Sequence, residues 1–481
     1  MITDYSITSR QRGSSLFGRI DMVALLTYVA IVLLGWLFIT SASFDHEAEN
    51  IFAFSHNYMK QIMWIGISWT VAIVVLLLER RFFHMFATPA YILGILLLLA
   101  ALMFGREVNG AKAWFEFGGI RVQPVEFVKI AVALMMARVM SDYSFNIKRF
   151  IDLVKVAIVI LIPFAIIVLQ NDTGSGLVLG AFIFVLFREG LTKYIYFPVL
   201  FTIFLFVVSL IFEPVVIFTV LVVLFTLYSM LHHGEIQGHL VFLCSILLAA
   251  LLLAMLTSLS GYAALMIAAS VAIVVLMFFV FKTHTLSLLW PIVMFLYAMI
   301  FVPTCDYLFT KLEPHQQNRI HTFVGLVDDP TGVGFNVIQS EIAIGSGGIT
   351  GKGLFEGTQN RYDFVPEKHT DFIFSVIGEE WGLLGATLII TLFVTLILRL
   401  MRMGERIKEP FGRVYCYSVA AMLLLHMCVN IGMTIGVMPV MGIPLPLVSY
   451  GGSSLVAFTI LIMIAIRLDA STSDNDGYMG I

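Results

Sequence analysis

Charge is scarce in this chain. Only 12% of its 481 residues are Asp, Glu, Lys or Arg, against 60% hydrophobic. An ordinary soluble domain carries about 25% charged residues. A soluble globular fold is therefore excluded, and an all-α polytopic membrane protein is expected. The formal net charge is −3, with none of the basic excess of a nucleic-acid binder; no nucleic acid is expected as a partner. Cysteine is scarce too. Cys244, Cys305, Cys416 and Cys428 show no C-x-x-C spacing, which argues against a disulfide framework or a thiolate metal site. The motifs G-x-x-x-x-G-K-[ST], H-E-x-x-H and G-x-S-x-G are all missing. Their absence argues against a nucleotide-driven pump and against common hydrolase chemistry.

What is present is a series of apolar runs. A helix needs about 20 such residues to cross a bilayer, and on that rule the runs count to roughly 14 spans. Residues 1–21 read as a cytoplasmic N-terminus, 22–303 as transmembrane helices and 304–371 as a large extracytoplasmic loop. Further transmembrane helices follow over 372–467, then a cytoplasmic tail over 468–481. Arg10, Arg12 and Arg19 before the first run, with "SAS" at 41–43 after it, imitate a signal peptide. The run is too long for that role and is expected to stay as the first span. Positive charge sets the sides. Arg80, Arg81, Arg138, Lys148, Arg149, Arg188, Lys193, Lys282, Arg399, Arg402, Arg406, Lys408 and Arg413 fall on joins assigned to the cytoplasm. The unusual polar stretches all fall on the other face; most joins there are poor in positive charge, and the exception is the 105–123 stretch, with Arg106, Lys112 and Arg121.

Four stretches on that outer face carry candidate chemistry. "NGAKAWFEFGGIRVQPVEFVKI" places Trp114 and Phe117 at the interface and then opens a helix at Gln123–Pro124. Glu126 and Lys129 follow at i, i+3 and face each other on it. They read either as an ion pair that pins the helix end or as a pair that orients a substrate. "QNDTGSG" puts Asp172 at a turn. "HTDFIFSVIGEEWG" brings His369, Thr370 and Asp371 into the membrane, with Glu379 and Glu380 two turns deeper. Asp371 and Glu379 are then about 80° apart around a helix and can share one side of a cavity. "GVMPVMGIPLPLVSYGGSS", which includes Ser449, is too irregular to face lipid and must be covered by protein or line a wet cavity. The large loop itself holds Arg319, Asp328, Asp329, Gln339, Glu341 and Lys352, with nine glycines between Gly325 and Gly357. Glycine lets backbone approach a ligand closely. A carboxylate beside cations suits a general base working next to a phosphate leaving group. The residues alone point to an outer site for an anionic, lipid-linked ligand, and leave reaction and transport both open.

Together these stretches resemble the SEDS proteins (shape, elongation, division, sporulation), across most of the chain. "QSEIAIGSGGITGKGLFEGTQ" is similar to the wall-elongation branch, RodA, more than to the division branch, FtsW. The resemblance implies a ten-helix core, to which about four helices near 195–281 are added here by the length rule. It implies a peptidoglycan glycosyltransferase that polymerises lipid II, a disaccharide-pentapeptide on undecaprenyl pyrophosphate. It also implies a class B penicillin-binding protein as transpeptidase partner, among other elongation-machinery membrane proteins. The essential aspartate of the family's "DPxGxG" corresponds to Asp329. Its Glu and Lys on the fourth helix correspond to Glu126 and Lys129, its Trp to Trp114, and its "QPDLGT" aspartate to Asp172. The chain departs from the family pattern at Val125, Ala113, Asn171 and Gly325–Leu326.

Asp329 is thus the expected base, and Lys129, Lys112, Arg121, Arg319 and Lys352 the candidate pyrophosphate cations, Lys129 ranked first. Glu126, Trp114, Asp172, Gln339, His369, Asp371 and Ser449 complete the candidate substrate-binding set. A divalent cation can serve the same leaving group, but no ligand cluster demands one. The alternatives are a lipid II flippase, for which Glu379 and Glu380 are the best argument, a non-catalytic scaffold, or the division version of the same polymerase. The expected location is the bacterial cytoplasmic membrane, with both termini inside.

Overall fold

The computed structural model describes residues 19–44, 56–191 apart from 109, 118 and 119, most of 197–233, parts of 263–274, 289–311, 317, 333–362 and 364–475. The chain forms two compact units, one of Met1–Leu191 with Phe335–Ile481 and one of Thr192–Gly334. It is a polytopic helical membrane protein. Seven described helices are long and apolar enough to cross a bilayer.

The larger unit is built on α1 (Met22–Ala42), α2 (Asn57–Leu77), α3 (Arg80–Phe104), α4 (Pro124–Met140) and α5 (Phe150–Leu169). After the Asp172 turn the chain forms two short helices, α6 (Thr173–Leu179) and α7 (Phe182–Arg188), joined through Gly180 and Ala181. The smaller unit contains α8 (Pro214–His233) and α9 (Leu289–Phe309), which pack together around Phe218, Ile292 and Phe295. Of the region near 195–281 expected to hold about four added helices, most of 234–281 lies outside the described residues. The second half of the expected large loop folds as α10 (Val333–Ser346) and a single turn, α11 (Thr358–Arg361). The long helices α12 (Ile373–Arg406), α13 (Pro410–Thr434) and α14 (Gly452–Asn475) complete the larger unit.

At its centre stands α4, packed against α3, α5, α13 and α14. Pro124 occupies its first turn, where a missing N–H costs nothing. Thirteen of its residues are buried, Glu126 and Lys129 among them. A helix enclosed on all sides has no lipid face. By contrast α2, α3 and α5 expose Leu77, Met103 and Leu161 to the hydrocarbon.

The two ends of this bundle are built differently. At one end Arg406 pairs with Asp21 and Asp469, Arg80 with Glu409 at 2.7 Å and Arg413 with Glu189 at 2.8 Å. These are the joins the charge bias assigned to the cytoplasm. At the other end lies irregular backbone and a small antiparallel sheet of β1 (Arg106–Val108), β2 (Ala111–Phe117) and β3 (Ile120–Val122). From sequence this stretch reads as an interfacial anchor or as a rim that grips a lipid-linked substrate, not as a sheet; its strands are too short and Gly-broken to show a clear period of two.

Candidate functional site

The irregular stretches converge at the sheet end. Asp172 caps α6 by accepting from the Ser175 N–H at 3.1 Å. Its other oxygen accepts from the Gln123 side chain at 2.8 Å, at the start of α4. The Lys112 N–H donates to the Gln170 carbonyl at 3.0 Å and joins β2 to the same turn. A Cβ on Gly174 would meet the Met441 carbonyl at 2.2 Å, so the proline-rich segment after α13 passes directly over this turn.

One turn into α4, Lys129 donates to Glu126 at 2.8 Å. His426 of α13 brings Nε2 within 3.1 Å of the same ammonium, and the Phe458 ring of α14 lies 5.3 Å from it. All three side chains of this polar group are essentially fully buried. A fully desolvated lysine persists only when paired, and this one has a carboxylate, an imidazole and an aromatic face. The second carboxylate oxygen of Glu126 is buried with no hydrogen-bond partner in the structure.

One turn further along α13, Asn430 donates 2.8 Å hydrogen bonds to the Asp371 and Ile443 carbonyls. Ser449 donates to the Thr370 carbonyl at 2.6 Å and accepts from the Leu445 N–H at 2.8 Å. The Tyr450 N–H reaches the His369 carbonyl at 2.8 Å. Residues 369–371 and 443–450 therefore support each other's non-helical backbone, as irregular chain at membrane depth requires. Burial pushes the Tyr450 phenol up, while nearby Arg121 pulls it down. Ala343 of α10 packs with Val365 and Phe372 in a small core that Val440 covers, and Ser340 donates to the Thr434 carbonyl at 2.8 Å.

A second polar cluster forms around α12. This helix breaks at Gly382, whose φ of 62° and ψ of −153° are not helical. Residues 348–353 fill the break. The Leu383 and Leu384 N–H groups donate to the Gly348 and Ile349 carbonyls at 2.9 and 3.1 Å, and the Lys352 and Gly353 N–H groups donate to the Glu379 and Glu380 carbonyls at 3.0 Å. The Glu379 carboxylate is fully buried. It accepts from Lys352 at 2.8 Å, Thr358 at 3.2 Å, the Gln359 and Asn360 N–H groups at 2.9 and 3.1 Å, and the Asn360 amide at 2.6 Å. Ser41 of α1 donates to Glu380.

On the sheet, Glu116 binds Arg106 and lies 3.9 Å from Arg121. Phe104, Arg106, Trp114, Phe115 and Glu116 line an open cleft of about 450 Å³. Lys112 is exposed and makes no ion pair among the described residues.

The family model described as "Cell cycle protein", FtsW/RodA/SpoVE, matches residues 21–225 and 213–474. The chain belongs to this family. It is 34% identical over 454 residues to the peptidoglycan glycosyltransferase RodA of Treponema pallidum (strain Nichols), covering 93% of this chain and 96% of that one. It is 29% identical over 441 residues to the peptidoglycan glycosyltransferase MrdB of Escherichia coli (strain K12), with 91% and 90% covered. Among solved structures it is similar to a peptidoglycan synthase complex that coordinates polymerization and crosslinking, at a TM-score of 0.56 and 26% identity, with 94% and 98% covered. The rod shape determining protein RodA of Thermus thermophilus shares the fold at a TM-score of 0.54 and 22% identity, with 94% and 97% covered.

Within this family fold, Glu126, Lys129, Asp172, His369, Asp371 and Ser449 join one hydrogen-bonded region at the sheet end, and Trp114, Lys112 and Arg121 lie on the adjoining sheet. Gln339 sits half-buried on α10, beside Ser340. Three expectations need adjustment. Lys129, ranked first for the pyrophosphate, is enclosed by Glu126, His426 and Phe458, whereas Lys112 and Arg121 are open to solvent. Lys352, a candidate pyrophosphate cation, is held by Glu379 and Thr358 at 2.8 Å each. Asp371 precedes α12, so it does not share a helical face with Glu379; its carbonyl faces Asn430 while Glu379 faces 352–360. Asp329, Asp328 and Arg319 lie outside the described residues. No group of three or more His, Cys, Asp or Glu side chains suited to a metal ion forms among the described residues. Sequence reasoning missed His426 and Asn430. Their signal was present in "LLLHMCVNIG": two polar side chains at i, i+4 in an apolar span lie on one helix face.

Proposed function

We propose that this protein is a peptidoglycan glycosyltransferase that polymerises lipid II into glycan strands during cell elongation, with Asp329 as general base. The carrying observation is the convergence, at one end of the bundle, of the described motif segments: Glu126 and Lys129, Asp172, and residues 369–371 and 443–450. Asp329 takes the proton from the 4-hydroxyl of the acceptor sugar. That oxygen bonds to C1 of the donor sugar as the bond from C1 to the pyrophosphate oxygen breaks. One displacement inverts C1, from an α-phosphate to a β-glycosidic link. The departing undecaprenyl pyrophosphate gathers negative charge, which nearby cations stabilise. Lys112 and Arg121 are the accessible candidates; Arg319, outside the described residues, is a further candidate from the sequence. Trp114 and the open cleft beside it suit the lipid-linked part of the substrate.

In this reading the sheet end faces outward, both termini are cytoplasmic, and the membrane is the bacterial cytoplasmic membrane. The partner is a class B penicillin-binding transpeptidase. The synthase complex among the similar structures supports that pairing. The flippase reading loses half of its main argument: the Glu379 carboxylate accepts from five donors and holds the 352–360 segment, while Glu380 accepts from Ser41 and keeps one buried oxygen without a partner.

The test uses purified protein with labelled lipid II and the transpeptidase. Glycan chains form with wild type and not with Asp329→Ala. Equal polymerisation by both sinks the base assignment. Transfer of lipid II across liposomes, without chain growth and insensitive to Asp329, favours the flippase.

A further inference from the structure

His426 is buried, and its two ring nitrogens face two different parts of the molecule. Nδ1 lies 3.3 Å from the Pro444 carbonyl oxygen. A carbonyl has no proton to give. That contact assigns the imidazole proton to Nδ1 and leaves a lone pair on Nε2, which then accepts from Lys129 at 3.1 Å. An ammonium has three N–H donors. Here they meet Glu126 Oε1, His426 Nε2 and the face of Phe458. Phe458 also stands edge-on to the imidazole at 5.0 Å, which fixes the ring plane. Lys129 is therefore held by three fixed neighbours, each on a different side.

Pro444 begins the segment whose Ser449 and Tyr450 hold the Thr370 and His369 carbonyls. The hydrogen bonds thus link Glu126, Lys129, His426 and Pro444 to the segment that leads into α12. His426 is the link between the ion pair on α4 and that irregular backbone.

We infer that His426 is a positioning residue for polymerisation. It aims Lys129 at Glu126 and sets the 443–450 segment in register with that pair, so that both move or hold together. The inference rests on the polymerase reading above. Replacing the imidazole with an apolar group leaves two buried polar groups short of a partner, Lys129 and the Pro444 carbonyl. Gln carries an amide NH2 that donates and a carbonyl oxygen that accepts, and can serve both.

The experiment measures kcat and KM for labelled lipid II with the full-length protein and its transpeptidase. The variants are His426→Leu, His426→Gln, His426→Asn, Lys129→Met and the double variant His426→Leu with Lys129→Met. One lost buried hydrogen bond corresponds to about a tenfold loss, and that is the fall expected in kcat for His426→Leu, with KM little changed. His426→Gln should restore most of it. His426→Asn is too short to reach both partners; recovered at wild-type yield, it should lose kcat as Leu does. The double variant should lose less than the product of the two single losses, because His426 acts in part through Lys129. Wild-type kcat in His426→Leu or His426→Asn overturns the inference. So does a double variant in which the two losses multiply. If wild type itself makes no glycan, the polymerase reading fails first and takes this inference with it.

Discussion

Each of the two polar clusters holds a Glu–Lys pair, 2.8 Å apart in both, and their surroundings differ. Glu379 accepts from five donors on a neighbouring segment, and its lysine is 26% exposed. Glu126 accepts from Lys129 and keeps one buried oxygen without a partner, and its lysine is 1% exposed. A saturated carboxylate has no capacity left for a ligand. It is an anchor, and what it anchors is the chain that fills the break in α12. A carboxylate with an open acceptor, linked through Lys129 and His426 to the irregular backbone, is suited to respond to what binds there. Position in the sequence hides this difference, since both glutamates lie in apolar helices.

The comparison can be broken by removing its anchors. Glu379→Ala takes the acceptor from four donors of residues 358–360 around a cavity and leaves Lys352 with Thr358 alone. Breaking a buried pair from one side costs about 3–5 kcal/mol. The expected result is a protein whose 347–360 segment is cut by protease faster than in wild type. Protection equal to wild type would mean that the segment is held by other contacts. Gly382→Ala comes next. Its φ is positive, and an added Cβ would lie 2.4 Å from the Gly351 nitrogen. Backbone strain of this kind costs about 1–3 kcal/mol. The thermal midpoint in detergent should fall, but less than for Glu379→Ala. Asp172→Ala sharpens the other side of the comparison. It removes the α6 cap, worth about 1 kcal/mol, and frees Gln123 at the start of α4. A small loss of midpoint with a larger loss of polymerisation is expected; the reverse ratio would make Asp172 only a cap.

Much of this was readable in the chain. The i, i+3 spacing of Glu126 and Lys129 predicted their pairing, and the bias of Arg and Lys separated the two ends before any contact was known. The two ends do gather as that bias implied: Arg406 with Asp21 and Asp469 at one, Asp172 with Gln123 at the other. What stayed hidden was non-local. Nothing near Lys129 in sequence announces His426, which is 297 positions away. The Gly382 break looks like any helical glycine until Gly348–Gly353 is seen to supply its backbone partners. α10 was taken as loop because glycines flank it, although "VGFNVIQSEIAIGS" has helix-compatible spacing of Val337, Ile338, Ile342 and Ile344. The sheet was missed because its strands are three to seven residues long.

The central claim is that Asp329 removes the proton from the attacking sugar hydroxyl. The direct measurement is the rate of glycan-chain formation from lipid II by Asp329→Asn and by wild type, each with the same transpeptidase. A general base contributes about 10²–10⁴-fold, so a rate lower by that factor, at unchanged folding and lipid II binding, is the predicted result. A rate within about twofold of wild type falls far short of a base's contribution and would contradict the account.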